Sequence, residues 1–212
     1  MGYEMPQRPV FLERALQGLA FWMGHRRSLF RHYPLPEGAM VAETCNLIQA
    51  NLSDTLRLQP ECQYKNLLPP GVQTDILGNL TRADLVLVSR EGATASNSAN
   101  ISSHVQFVIE VKRGSASKAA INQDIKRLYE FLRLTHTNAR AFLIVVSESR
   151  VPSRFVSDGK SRLGTNIIPG CDGCFHVRRT VKAASSFAKK SRAHYVCLLE
   201  AFHERPQKLP AI

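Results

Sequence analysis

Hydrophobic and polar positions along the chain alternate with two different periods. Over residues 8–23, Val10, Phe11, Ala15, Leu16, Leu19, Ala20 and Met23 recur at near-helical spacing, which predicts an N-terminal helix within residues 8–31. Residues 37–58 repeat the pattern with Val41, Cys45, Ile48, Leu52 and Leu56 on one side, and Pro60, Pro69 and Pro70 break it off. Residues 72–77, a Gly78-Asn79 turn and residues 80–89 read as a β-hairpin. The polar stretch 90–103 has loop composition and forms the tip of a second hairpin, with 104–113 as the return strand. After Gly114, residues 117–135 carry Ala120, Ile121, Ile125, Leu128, Phe131 and Leu132 as the apolar stripe of a helix, and 140–147 follows as a buried strand. Residues 149–173, rich in Ser, Gly, Arg and Pro, read as a long loop, 174–184 and 193–202 as two last strands, and Arg205 onward as a short tail.

These elements predict the α/β class, with a mixed central sheet flanked by helices. No linker marks a second domain, so residues 1–212 are expected to form one unit, with a core at about 37–147 and a basic C-terminal extension from 149. A chain of 212 residues that is 44% hydrophobic can bury a single substantial core without disulfides. The longest apolar run, residues 141–146, is far too short to cross a bilayer, and no signal peptide is readable. Cys45, Cys62, Cys171, Cys174 and Cys197 are odd in number and scattered, which suits a reducing compartment: the cytoplasm, or the nucleus in a eukaryote. Without a secretory route, the Asn-x-Ser/Thr matches at Asn51, Asn79 and Asn100 carry no weight.

Charge changes this picture. The net charge of +11 predicts a polyanionic partner, nucleic acid first and a membrane surface second. Its distribution is uneven: residues 34–111 hold four basic and eight acidic residues, whereas 112–140 hold seven basic and two acidic, and 150–192 ten and two. Carboxylates grouped at a centre, with cations around them to hold phosphates, suit a metal-using nucleic-acid enzyme. Chance and solubility produce similar blocks, so the motifs have to decide.

The motif is Ile109-Glu110-Val111-Lys112. On a strand, residues two apart share a face, so Glu110 and Lys112 project together. Asp84, among the hydrophobes of the preceding strand, needs a reason to be there, because an unpaired buried carboxylate is costly. Two carboxylates from adjacent strands and a backbone carbonyl such as that of Val111 are hard oxygen ligands suited to Mg²⁺, with Mn²⁺ as a substitute. Such a metal polarises a scissile phosphate and acidifies a bound water; Lys112 would position that water or help deprotonate it, and stabilise charge on the phosphate. The tripeptide acid-x-Lys occurs three times, but Asp124-Ile125-Lys126 falls on a helix and Asp158-Gly159-Lys160 in a loop. Only Glu110-Val111-Lys112 lies on a strand with an acid-bearing strand before it.

On these residues, and on the order helix, three strands, helix, strand, the chain resembles the PD-(D/E)XK nuclease superfamily, the restriction-endonuclease-like group. The resemblance spans about residues 37–147. It implies a metal-dependent endonuclease acting on DNA, with Asp84 and Glu110 as metal ligands and Lys112 beside them. It further implies an acid from the first core helix, Glu43, as catalytic residue and ligand, and a polar residue from the helix after the lysine, Gln123. Ala83 stands where the family often has Pro, the 26 residues from Asp84 to Glu110 are a long gap, and Asp75 competes with Asp84 for the first acid. Asp84 is preferred because its strand directly precedes that of Glu110. An enzyme cutting both strands of a duplex would be expected to act as a homodimer.

Arg113, Lys126, Arg127, Arg178, Arg179 and Lys182 are the candidate nucleic-acid contacts. Competing readings stand beside each assignment: an exposed cross-strand charge pair for Glu110 and Lys112, and solvated surface for Glu43, Gln123 and the basic residues. Rival functions are a non-catalytic nucleic-acid-binding module of the same fold and an RNA endonuclease. Cys171 and Cys174, with His176 nearby, invite a zinc reading, but only Cys197, His194 and His203 are available to complete four ligands.

Overall fold

A computed structural model describes residues 6–30, 33, 35–72, 74–90, 101–135, 137–184 and 193–203. In chain order the elements are α1 (Val10–Leu29), α2 (Glu37–Gln49), β1 (Leu56–Gln63), a one-turn α3 (Tyr64–Leu67), β2 (Arg82–Ser89), β3 (Val105–Arg113), α4 (Lys118–Thr135), β4 (Arg140–Ser147), a small hairpin β5 (Val156–Ser157) and β6 (Lys160–Ser161), β7 (Thr165–Ile167), β8 (Cys174–Ala184) and β9 (Ala193–Phe202). Seven strands form one sheet in the order β1-β2-β3-β4-β9-β8-β7. Strands β1, β2 and β3 are antiparallel in turn, β3 and β4 are parallel across the α4 crossover, and β9, β8 and β7 continue antiparallel. This is the expected mixed α/β class. The 91–100 loop tip and the tail from Arg205 lie outside the described residues.

Alternation along the strands gives the sheet two apolar faces. On one, Leu85, Leu87, Ile109, Val111, Phe142, Ile144, Val146, Val196 and Leu198 meet Leu12, Leu16, Leu19 and Met23 of α1 and Met40 and Ile48 of α2. On the other, Val86, Val88, Val108, Leu143 and Val145 meet Ile121, Ile125, Leu128 and Phe131 of α4. Glu110 and Lys112 share the side of Val108, so they face α4.

The first strand of the sheet is not the one expected. Helix α2 stops at Gln49, and the chain returns as β1, whereas the described residues of 72–77 form no strand. Leu56 and Leu58 satisfy a strand period as well as a helical one, and both pack on the α2 face. Pro60 lies inside β1, which is tolerated because β1 is an edge strand. Leu77 is buried, and Val72 and Ile76 pack beside it, against the α4-side core without pairing, so their hydrophobicity is satisfied by a loop.

Helix α1 is fixed by buried charge as well as by apolar packing. Glu200 on β9, only 1% exposed, meets Arg140 at 2.7 Å and Arg178 at 3.0 Å, while Arg179 meets Glu13 of α1 at 2.8 Å. Arg140 donates to the Gln7 carbonyl at 2.8 Å and Arg178 to that of Pro6, which ties down the segment before α1. Arg178 and Arg179, candidate nucleic-acid contacts, make internal ion pairs here: next to the register shift at Val177/Arg179, they meet Glu200 and Glu13. Lys182, further along β8, is exposed. Replacing Glu200 by Ala strands two buried guanidinium groups and should cost about 3–5 kcal/mol, measurable by urea unfolding; a loss below about 1 kcal/mol would mean that α1 does not depend on this cluster.

Candidate active site

The last pair between β2 and β3 is Leu85 with Ile109. Beyond it β2 continues to Arg82 paired only with β1, and β3 continues to Arg113 paired only with β4. The strands part there, and the Val111 N–H loses its partner in β2. Asp84 supplies one: its Oδ2 accepts the Val111 N–H at 2.7 Å. In a strand the N–H and C=O of one residue point to the same edge, so the Val111 carbonyl opens onto the same gap.

Glu110 stands beside Asp84 and is 4% exposed. Its Oε1 accepts a 2.7 Å hydrogen bond from the hydroxyl of Tyr64, a fully buried residue on α3. Burial, then the neighbouring Asp84 charge, pushes the Glu110 carboxyl well above the ordinary range, with Tyr64 pulling the other way. Burial also raises Asp84, against the Val111 N–H, and the Glu61 charge adds to the rise. Tyr64 is held well above its usual value by burial and by Glu110, so it remains a donor.

Lys112 donates to Glu37 Oε1 at 2.9 Å and lies 3.2 Å from Asp124 Oδ2. Burial works against its charge, but the two carboxylates outweigh it and hold the ammonium above its ordinary value. Asp124 is buried on α4 and also takes Arg127 at 2.8 Å. A chain of alternating charge, Glu37, Lys112, Asp124 and Arg127, thus runs beside the acid pair, and the Arg127 charge reaches Glu110.

Asp84, Glu110, Val111 and Lys112 are brought together at the parting of β2 and β3. Asp75 is not: it sits in the loop before β2 and lines a separate cleft with Lys65, Thr74 and Arg133. The acid that α2 brings to Lys112 is Glu37. Glu43, six residues on and about 240° around the helix, is absent from the cleft of about 540 Å³ that Glu37, Val41, Glu61 and Asp84 line. Gln123 is exposed, and its neighbour Asp124 holds the place expected of it. Arg113 donates to the Leu35 carbonyl, and Lys126 leans on the turn at Gly170.

Sequence reasoning missed Glu37, Tyr64, Asp124 and Glu61. Asp124 carried a readable signal, since it lies three residues from Ile121 and next to Ile125 on the apolar stripe that Gln123 leaves. Glu61 carried none: its positive φ of 55° on β1, opposite Asp84, appears only in the fold.

Among the described residues no group of three or more His, Cys, Asp or Glu side chains is gathered for a metal. Near the Cys171 and Cys174 pair, His176 lies 3.4 Å from Thr165 Oγ1 and edge-on to Phe202. Asp84 and Glu110 nevertheless fit Mg²⁺ or Mn²⁺: two crowded carboxylates and a carbonyl are hard donors, and Mg²⁺ characteristically completes its shell with water and phosphate oxygens.

No known protein-family model matches the chain, and no curated protein matches it. One similar solved structure is Pseudomonas aeruginosa ATCC27853 NucC in its cAAA-bound form, at 17% identity and a TM-score of 0.35, covering 61% of this chain and 52% of that one. The chain thus spans about half the length of that protein. Among the described residues no helix is long and apolar enough to cross a membrane.

Glu110 binds its proton more tightly folded than unfolded. Its stabilising contribution is therefore full below the ordinary carboxylate range and lost as pH rises through the raised folded value. Metal-free protein should therefore lose stability from this source as pH rises above the ordinary carboxylate range. Glu110→Gln keeps an acceptor for Tyr64 and should raise the metal-free Tm at pH 8 by about 2–4 °C, equivalent to about 1 kcal/mol in a chain of this size, with the gain shrinking towards pH 5. A gain independent of pH would contradict the crowded-carboxylate assignment.

Proposed function

We propose that the chain is a metal-dependent nuclease that hydrolyses phosphodiester bonds in DNA. The observation that carries this reading is the pair Asp84 and Glu110, side by side where β2 and β3 part, with the Lys112 ammonium fixed next to them. Carboxylates so placed repel a phosphate unless a cation lies between, which favours a cutting site over a binding module.

Asp84, Glu110 and the Val111 carbonyl would hold Mg²⁺ or Mn²⁺. When bound, the metal supplies Lewis-acid polarisation of the phosphate and a more acidic water. Asp84 keeps its position through the Val111 N–H, and Glu110 through the Tyr64 hydroxyl. Lys112, held protonated by Glu37 and Asp124, acts as a fixed positive charge on the phosphoryl oxygens and does not take the proton of the attacking water. Asp124 sets Lys112 and Arg127 in one orientation, so two cations face the phosphate without rearranging as charge develops.

The test is incubation of the purified chain with plasmid DNA and with RNA of matched sequence, under Mg²⁺, Mn²⁺ or a chelator. DNA should be cut with either metal and spared by the chelator. Lys112→Ala should lower the rate about 10²–10³-fold while DNA retention in a gel-shift assay persists. Preferential loss of RNA would reassign the substrate, and absence of metal-dependent cleavage on both would overturn the proposal.

A further inference from the structure

A second cleft, of about 570 Å³, opens at the C-terminal ends of the parallel strands β3 and β4. That end of parallel strands is where open α/β sheets present ligands. Its lining includes Arg27, Arg113 and Arg150, the serines Ser115 and Ser147, and a single carboxylate, Glu148. Glu148 is already engaged, by Arg27 at 3.3 Å and by the Leu35 N–H at 3.5 Å. Two of the three guanidinium charges are therefore not offset within the cleft. Arg113 is oriented by the Leu35 carbonyl, and exposed Arg150 makes no ion pair among the described residues.

The chain after β4 is bent to put Arg150 there. Ser149 takes a positive φ of 58°, which serine adopts at a cost, and the turn is held from both sides. Buried Ser147 donates its hydroxyl to the Arg150 carbonyl at 2.8 Å, and the Ser149 N–H donates to Nδ1 of His194 at 3.3 Å. His194 is wholly buried, and burial lowers its pKa, so its ring stays neutral and can accept. Gly114 leaves the room this needs: a Cβ there would lie 2.7 Å from Ser147 Cβ.

The cleft adjoins the proposed catalytic site. Arg113 follows Lys112 on β3, and strand alternation sends the two to opposite faces of the strand end. The segment at 35–37 serves both, through the Leu35 carbonyl to Arg113 and the Glu37 carboxylate to Lys112.

We infer that this cleft is a phosphate site, in which Arg113, Arg150 and Arg27 hold a phosphate of the nucleic acid other than the one being cut. The inference rests on the nuclease reading for its substrate class, but not for its chemistry: planar guanidinium groups around a polar hollow are suited to a tetrahedral oxyanion. The phosphate comes either from within a strand or from its terminus, and both present the same oxygens.

Metal-free protein titrated with inorganic phosphate, followed by ³¹P line broadening, tests the site without any cleavage. Wild type and Lys112→Ala should bind alike, because the catalytic carboxylates repel the anion. Arg150→Ala should weaken binding about tenfold, whereas Ser149→Gly, which accepts the positive φ, should retain it. No binding by wild type, or binding lost in Lys112→Ala and kept in Arg150→Ala, overturns the site and leaves the nuclease proposal standing. Binding without cleavage of any substrate keeps the site and removes the nuclease. With cleavage established, Arg150→Ala should raise KM about tenfold with little change in kcat. A rise on covalently closed circles as well as on linear DNA marks an internal phosphate; a rise confined to 5′-phosphorylated linear DNA marks a terminal one. No rise on any substrate overturns the assignment to nucleic acid.

Discussion

One backbone amide organises the chemistry of this chain. Where β2 turns away from β3, the N–H of Val111 is left without a strand to bond, and a buried N–H without a partner is costly. Asp84 meets that need with a carboxylate at 2.7 Å. A gap that would weaken an ordinary sheet becomes a fixed seat for a negative charge. The same divergence leaves the Val111 carbonyl facing the gap, and Glu110, one residue earlier, turns its side chain towards α4.

The remaining polar residues manage the consequences of seating two acids side by side. Tyr64 donates to Glu110 from a single turn of helix that the β1 edge delivers to the sheet. Lys112 cannot approach the acids freely, because Glu37 and Asp124 hold it from α2 and α4 respectively. Three elements distant in sequence thus meet at one ammonium group. The arrangement sets like charges side by side at Asp84 and Glu110, and interleaves unlike charges along Glu37, Lys112, Asp124 and Arg127. Electrostatic work is done during folding, and little movement is needed afterwards.

Much of this was legible in the chain. Strand β4 and the two strands of the C-terminal hairpin, β8 and β9, follow directly from apolar runs bounded by polar turns, and Glu110 with Lys112 follows from the period of two. The stripe of α4 was legible too, although Asp124 was hidden by its charge: it lies among Ile121, Ile125 and Leu128 and is buried with them. What could not be read was β1. Residues 56–63 satisfy two periods at once and contain a proline, and only their position at the edge of the sheet makes Pro60 acceptable. Without β1, Tyr64 and Glu61 have no place, and the apolar pattern of α2 runs on to Leu58, past its end at Gln49. Glu43 rested on the family resemblance alone: the middle of α2 reaches the cleft through Val41, Ala42, Cys45 and Asn46, and the acid of α2 that lines it is Glu37. The ion-paired arginines of β8 were obscured for a different reason: a register shift sets which side chains face Glu200 and Glu13, and such a shift leaves no mark in periodicity.

The edge at β1 also bears on how copies of this chain can associate. An open edge strand invites another strand to continue the ladder, but Pro60 withdraws a donor there, and the next residue, Glu61, departs from extended geometry and carries a charge. The sheet is closed to growth on the side where the proposed cutting site lies. An assembly of two copies would therefore not continue the sheet through β1, and would have to use another face of the molecule.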